Sequence, residues 1–113
     1  MRGKAKSAAL FLLLTLAARA SAHLLLPDLH WYDALACRVA RSCPFALDSM
    51  AQNEALVRGI ILRSQIFDHH VLAAAQAAPL HVVTLGAGLC TRRSRLAAQL
   101  PSHGVSWLNL DLP

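Results

Sequence analysis

Charged residues and cysteines are both scarce in this sequence, and each shortage excludes a class of protein. Only 15% of the 113 residues are charged, while 56% are hydrophobic, and this balance excludes intrinsic disorder over the whole chain. The three cysteines are an odd number and include no C-x-x-C pair, so neither a zinc knuckle nor a disulfide framework is predicted. The six histidines share no ligand spacing, and we therefore expect no metal site.

Acidic residues are absent from the first 22 positions, and this absence accounts for most of the net charge of +5. That segment holds four of the eleven basic residues, so the rest of the chain is close to neutral. Aromatic residues make up only 5% of the chain, and none is interleaved with the small basic cluster of Arg92, Arg93 and Arg95. A surface that stacks bases and neutralises phosphates needs both features, so no nucleic-acid partner is expected.

Long apolar runs are lacking as well. The best stretch, residues 8–18, is closed by Arg19, whereas a membrane-spanning helix needs about 18 or more apolar residues, so we expect no transmembrane segment. The basic start, the apolar centre and the small residues up to Ala22 are also typical of a secretory signal that is cleaved after Ala22. The same residues fit a helix rich in alanine and leucine, and the pattern alone leaves both interpretations open.

Apolar periodicity predicts two helices in the first 78 residues. One runs over residues 29–40, where Trp31, Leu35 and Val39 recur every four positions. The other begins at Asn53, a good N-cap, and ends before Pro79. The segment between them, residues 42–50, reads as a loop. We interpret residues 1–78 as a helical cap region.

Beyond Pro79 the pattern changes to that of a parallel α/β unit. A short apolar run over residues 80–85 predicts a buried strand that enters a glycine-rich turn, and residues 91–100 predict a helix. A second strand over residues 105–110 then delivers Asp111 at its carboxyl end. This strand-helix-strand unit has the length that a parallel crossover needs. Residues 79–113 are therefore interpreted as the start of a cofactor-binding domain.

Gly86, Gly88 and Asp111 are the residues of that unit that point to a ligand. In a parallel sheet, ligands bind outside the carboxyl ends of the strands, and an acid at the end of the second strand accepts hydrogen bonds from ribose hydroxyls. Position 91 is Thr91, where a dinucleotide fingerprint would have a third glycine, so the turn suits a nucleoside without a diphosphate. A glycine turn that binds nothing is the structural alternative.

Arg63 is the second informative feature. It falls on an apolar stripe of the predicted helix over residues 53–78, formed by Leu56, Ile60, Phe67 and Val71. A permanent cation in such a stripe needs an anionic partner, either remote in the sequence or a ligand carboxylate. The alternative is that Arg63 extends from the stripe into water.

Three ordered motifs resemble the leucine carboxyl methyltransferase-like family of class I S-adenosylmethionine-dependent O-methyltransferases. VVTLGAGL at residues 82–89, followed by Thr91 and Arg92, resembles the family's V-V-x-L-G-A-G-L-D-T-R. VSWLNLDLP at residues 105–113 resembles V-R-W-x-x-x-D-L-P, and RSQIFD at residues 63–68 is similar to R-[ST]-x-x-F-D. The sequence departs from the family at Cys90, where the family has aspartate.

The resemblance implies a role for each candidate residue. Arg63 would hold the methionine carboxylate of S-adenosylmethionine, Gly86 and Gly88 would allow its close approach, and Asp111 would bind its ribose. The expected reaction is methyl transfer to a carboxylate or hydroxyl of a small molecule or protein, and no catalytic residue is identified. The family also favours a cytoplasmic helix over a cleaved signal at the N-terminus.

The same resemblance implies an α/β fold in which N-terminal helices precede the first strand-helix-strand unit of a Rossmann-like class I methyltransferase sheet. Two strands of such a sheet fall within 113 residues, so we expect an incomplete, N-terminal portion that shows no methyl transfer alone. Two alternatives remain: a secreted, non-catalytic helical protein, and an interaction module that pairs through its open sheet edge.

Overall fold

The helices and strands of the chain follow one another in an α/β order. The computed structural model describes residues 2–44 and 47–112, so Met1, Pro113 and two positions of the predicted 42–50 loop, Phe45 and Ala46, lie outside the described residues. The elements are α1 (Arg2–Leu25), a 3₁₀ turn (Pro27–Leu29), α2 (Ala34–Ser42), a second 3₁₀ turn (Asp48–Ala51), α3 (Glu54–Ala77), β1 (Leu80–Leu85), α4 (Arg92–Leu96) and β2 (Val105–Leu110). The predicted fold class is confirmed: helices precede a two-stranded parallel sheet compatible with an incomplete Rossmann-like unit.

Two compact units divide the chain between Arg63 and Ser64, so that α3 begins in the first unit and ends in the second. The predicted boundary between a cap region over residues 1–78 and a cofactor-binding region over residues 79–113 is a different division, made where the sequence pattern changes at Pro79 rather than by compactness. It stays a prediction.

The first unit is built around an apolar core. The carboxyl-terminal half of α1 forms part of this core. Small residues on this half let α2 approach closely, and Ala17, Ala18 and Ala22 are fully buried. The indole Nε1 of Trp31 donates to the carbonyl oxygen of Arg19 at 3.0 Å, so the ring is buried without an unmet donor. The buried members of the core are Leu16, Ala17, Ala18, Ala22, Leu26, Trp31, Ala36, Leu47, Ala51, Val57 and Ile61.

A buried ion pair accompanies this core. Asp33 has no exposed surface and accepts a hydrogen bond from the backbone N–H of Ala36 at 2.9 Å, which caps α2. Its other oxygen lies 3.5 Å from Nη1 of Arg19. The Asp33 carboxylate therefore caps the N-terminus of α2 and pairs with the buried guanidinium of Arg19.

Helix α2 begins five residues later than predicted. The predicted helix over residues 29–40 is wrong in its first third, because Pro27 starts a 3₁₀ turn and His30 then takes a left-handed φ of 50°. A regular helix cannot pass through that conformation. The predicted start of the next helix is confirmed: Oδ1 of Asn53 accepts the N–H of Leu56 at 3.1 Å, as an N-cap does.

The buried face of α3 differs from the predicted stripe. Val57 and Ile61 have no exposed surface, whereas Leu56 and Phe67 of the predicted stripe are more than 40% exposed. Apolar residues occupy several faces of α3, so periodicity alone does not select the face that packs. Arg63 is exposed as well, so the predicted stripe on which it falls is not the buried face of α3.

One stretch of α1 passes a length and composition test for a membrane helix. Within the part of the chain that the structure describes, Lys6–Leu25 has a mean hydropathy of 1.7, and 28% of it is buried. Buried core helices and signal sequences pass the same test, so the expected absence of a transmembrane segment stays a prediction.

The second unit contains a parallel β1–α4–β2 arrangement. Leu80 pairs with Val105 and Leu85 with Leu110, so the two strands are in register along their whole length. The predicted helix over residues 91–100 is wrong in its second half: α4 ends at Leu96, and a turn closed by Gln99 N–H to Leu96 O at 2.9 Å follows. Pro101 disfavours helical geometry at the preceding residue.

Candidate functional site

The carboxyl end of β1 opens into a turn that only glycine adopts readily. Gly86 and Gly88 have φ values of 61° and 49°, in the left-handed region, where a Cβ costs roughly 1–2 kcal/mol. A Cβ built on Gly86 meets no atom of the described residues within 4 Å. Because Gly86 has no side chain to fill this space, a ligand can approach the backbone of the turn there.

Asp111 lies directly beside this turn. Because β1 and β2 end in register, the residue after Leu110 reaches the turn that follows Leu85. Oδ2 of Asp111 accepts the backbone N–H of Gly88 at 2.5 Å, and Oδ1 accepts the N–H of Leu112 at 2.8 Å. The two strand ends are thus joined by a hydrogen bond.

The hydrogen-bonding capacity of Asp111 exceeds these two contacts. An ionised carboxylate has about four lone-pair sites, and the carboxylate remains exposed. Its orientation is fixed by backbone donors on both sides, so little further ordering is needed on binding. A pair of neighbouring hydroxyls, as in ribose, fits such an acceptor.

Arg63 is the candidate residue that belongs to the first unit, where it is exposed on α3. Gly86, Gly88 and Asp111 belong to the second unit. The structure thus brings Gly88 and Asp111 together. The stripe on which Arg63 falls is not the buried face of α3. The role of Arg63 rests on the resemblance and stays a prediction.

Sequence reasoning missed a charged cluster just after the glycine turn. Asp68 of α3 is 8% exposed and is bound by the guanidinium groups of Arg92 and Arg95. The Arg92 guanidinium carbon also lies 5.5 Å from the centre of the Phe67 ring. The i, i+3 spacing of Arg92 and Arg95 on a short helix was the available signal, but their acidic partner is more than 20 residues away in the sequence.

Metal chemistry has no candidate centre in the described ranges 2–44 and 47–112, where no group of three or more histidine, cysteine, aspartate or glutamate side chains could hold an ion. The glycine turn offers backbone N–H groups, the exposed carboxylate of Asp111 beside them and open space above Gly86. These features suit an uncharged sugar or a similar polyol better than a metal.

Comparison with known proteins agrees with the motifs. A family model described as leucine carboxyl methyltransferase matches residues 15–113 and so includes the glycine turn, Asp68 and Asp111. No curated protein and no solved structure gives a significant match.

Proposed function

Since this chain belongs to the leucine carboxyl methyltransferase family, we propose that it serves methyl transfer by binding S-adenosylmethionine at the Gly86–Gly88 turn. Membership of the family supports a methyltransferase in general terms. The cofactor, the atom that accepts the methyl group and the residues that hold each part are our proposal.

The observation that carries this proposal is the hydrogen bond from Gly88 N–H to Asp111 Oδ2. It holds an acid with free acceptor capacity beside a turn whose backbone is open at Gly86. The two features lie at the carboxyl ends of neighbouring parallel strands, where nucleoside ligands bind in α/β sheets. Position 91 carries threonine rather than a third glycine, which favours a nucleoside over a dinucleotide.

Each residue has a distinct task in this proposal. Gly86 allows the backbone to approach the ligand, Asp111 accepts hydrogen bonds from both ribose hydroxyls, and Arg63 pairs with the methionine carboxylate, as the family resemblance implies. S-adenosylmethionine supplies an activated methyl group when it is bound. The family favours an oxygen acceptor, a carboxylate or hydroxyl of a small molecule or a protein, and the transfer depends mainly on positioning that oxygen.

We also propose a cytoplasmic location, in which residues 1–22 are a retained helix. The support is the burial of Leu16, Ala17, Ala18 and Ala22 in the core of the first unit. Cleavage after Ala22 would remove these residues and the Arg19 partner of Asp33. N-terminal sequencing of the expressed protein tests this: a start at Met1 or the following residue is expected, and a start at His23 favours the secreted alternative.

Titration calorimetry with S-adenosylhomocysteine tests the cofactor site. Asp111→Ala is expected to weaken binding by about 1.5–3 kcal/mol, the value of hydrogen bonds to a charged group. Asp28→Ala is the matched control, because it removes an exposed aspartate of the first unit. Equal affinity for the wild type and Asp111→Ala would contradict the proposed ribose contact.

A further inference from the structure

Asp68 holds two cations immediately after the glycine turn. Nε of Arg92 lies 2.8 Å from its Oδ1, and Nη1 and Nη2 of Arg95 lie 2.5 Å and 3.2 Å from Oδ2 and Oδ1. All three side chains are largely buried, with exposures between 12% and 15%. One carboxylate therefore neutralises part of the charge of two guanidinium groups in a place where water screens poorly.

The cluster is connected to the turn through the residues between them. Nη1 of Arg92 lies 3.8 Å from Sγ of Cys90, and Nε of Arg95 donates to Oγ1 of the buried Thr91 at 3.2 Å. The N–H of Cys90 in turn donates to the carbonyl oxygen of Ala87 at 2.9 Å. Asp68 thus holds the segment that leaves the turn through Arg92 and Arg95.

The local charge balance gives this arrangement a chemical consequence. Residues 64–113 carry Arg92, Arg93 and Arg95 but only two acids, Asp68 and Asp111. S-adenosylmethionine carries a positive sulfonium, whereas its demethylated product is a neutral sulfide. An arginine cluster without its counter-charge would therefore weaken binding of the positively charged S-adenosylmethionine relative to binding of its neutral product.

We propose that Asp68 is a positioning residue that also balances charge, and that it sets the preference of this site for the sulfonium form of the cofactor over the sulfide form. The inference rests on the proposed function. A residue that only stabilises the fold would change the affinity for both forms by the same factor, because the two ligands differ at the sulfur and its methyl group.

Titration of S-adenosylmethionine and S-adenosylhomocysteine into the same variants separates these roles. Asp68→Asn keeps the size of the side chain and removes its charge, so it is expected to weaken binding of the sulfonium form about threefold more than binding of the sulfide form, an effect of the order that a partly screened unit charge produces. Asp68→Glu retains the charge and should keep the wild-type ratio. Asp28→Asn, a neutralised aspartate of the first unit, is the control and should also leave the ratio unchanged.

Arg95→Leu provides an independent test with the opposite sign. It removes one cation and leaves Asp68 paired with Arg92, so the preference should shift towards the sulfonium form. This variant decides the question if Asp68→Asn does not fold. Equal affinity changes for both ligands in Asp68→Asn, or an unchanged ratio in Arg95→Leu, would overturn the inference.

Two outcomes distinguish this inference from the function on which it rests. If the wild type binds neither ligand, the proposed function fails and the inference fails with it. If the wild type binds both ligands and Asp111→Ala weakens them, while the ratio does not respond to Asp68 or Arg95, the inference alone fails.

Discussion

The two units of this chain differ in how much apolar surface they bury. The first unit buries a continuous apolar core, and Leu16, Leu26, Val57 and Ile61 have at most 1% of their surface exposed. The second unit buries Ala75 and Leu96 among its described apolar residues, while Val83, Leu85, Leu108 and Leu110 of its sheet remain exposed. The unit with the weaker apolar core carries the candidate site.

A buried aspartate paired with arginine occurs in both units, and the contrast between the two shows what each unit needs. Asp33 caps α2 and faces one buried cation, so it belongs to the packing of the helices. Asp68 faces two cations that follow the glycine turn in the sequence. The same pair of residue types therefore supports the fold in one unit and, in our proposal, ligand selectivity in the other.

The largest effect on stability is expected from Asp33→Ala. Removing this carboxylate leaves the buried guanidinium of Arg19 without its counter-charge and removes the cap of α2, which together should lower the free energy of unfolding by about 3–5 kcal/mol. Denaturant unfolding followed by circular dichroism measures this change. A loss below 1 kcal/mol would show that the first unit does not depend on the pair.

Arg63→Met should separate ligand binding from stability. Arg63 is exposed on α3, so the melting temperature without ligand should change little. If Arg63 pairs with the methionine carboxylate, affinity for S-adenosylhomocysteine should fall by about 3 kcal/mol, because a charge-assisted contact is lost. Thermal shift and calorimetry on this variant give both values, and unchanged affinity would remove Arg63 from the site.

Replacing glycine by alanine should destabilise the protein at Gly86 and stabilise it at Gly59. Gly86→Ala forces a Cβ into a left-handed conformation and should destabilise the protein by about 1–2 kcal/mol. Gly59→Ala, within the helical part of the first unit, has open space around its Cβ and should stabilise by about 0.5–1 kcal/mol. Unfolding curves of the two variants compare the turn and the helix directly, and equal effects would contradict the strain assigned to Gly86.

The smallest effect is expected from the exposed pair of Asp28 and Arg58. Nη1 of Arg58 donates to Asp28 at 2.7 Å, and this hydrogen bond lowers the pKa of Asp28 below its usual 3.8. A lowered pKa in the folded state means that the pair stabilises the protein above pH 3.8, and this contribution is lost as the pH falls through the lowered pKa. Melting temperatures of the wild type and Asp28→Asn should therefore converge towards pH 2, and a difference that grows on acidification would reverse the assignment.

Local patterns were sufficient to predict the glycine turn between the strand and the helix from the sequence. An apolar β-branched run, two glycines and an acid after a second strand fix the positions of Gly86, Gly88 and Asp111, because parallel strands of equal length end together. The face of α3 was not predictable in this way. Leu56, Val57, Ile60, Ile61 and Leu62 offer apolar surface on several sides of the helix, and its tertiary partners decide which side is buried.

The Asp68 cluster lay beyond sequence reasoning for a related reason. Its three side chains are 24 and 27 residues apart in the sequence, and each alone is an ordinary charged residue of a helix. The pairing joins α4 to the second half of α3 within the second unit, and periodicity does not determine which elements come together. The short length of α4 likewise depends on the turn before Pro101.

Amide hydrogen exchange with and without S-adenosylhomocysteine tests the central claim most directly. If the ligand binds at the glycine turn of the second unit, exchange should slow at the amides of residues 86–90 and 110–112, while the core amides around Ala17 and Ala18 of α1 keep their rates. Protection that is absent from the turn, or confined to the helices of the first unit, would contradict the assignment of the cofactor site.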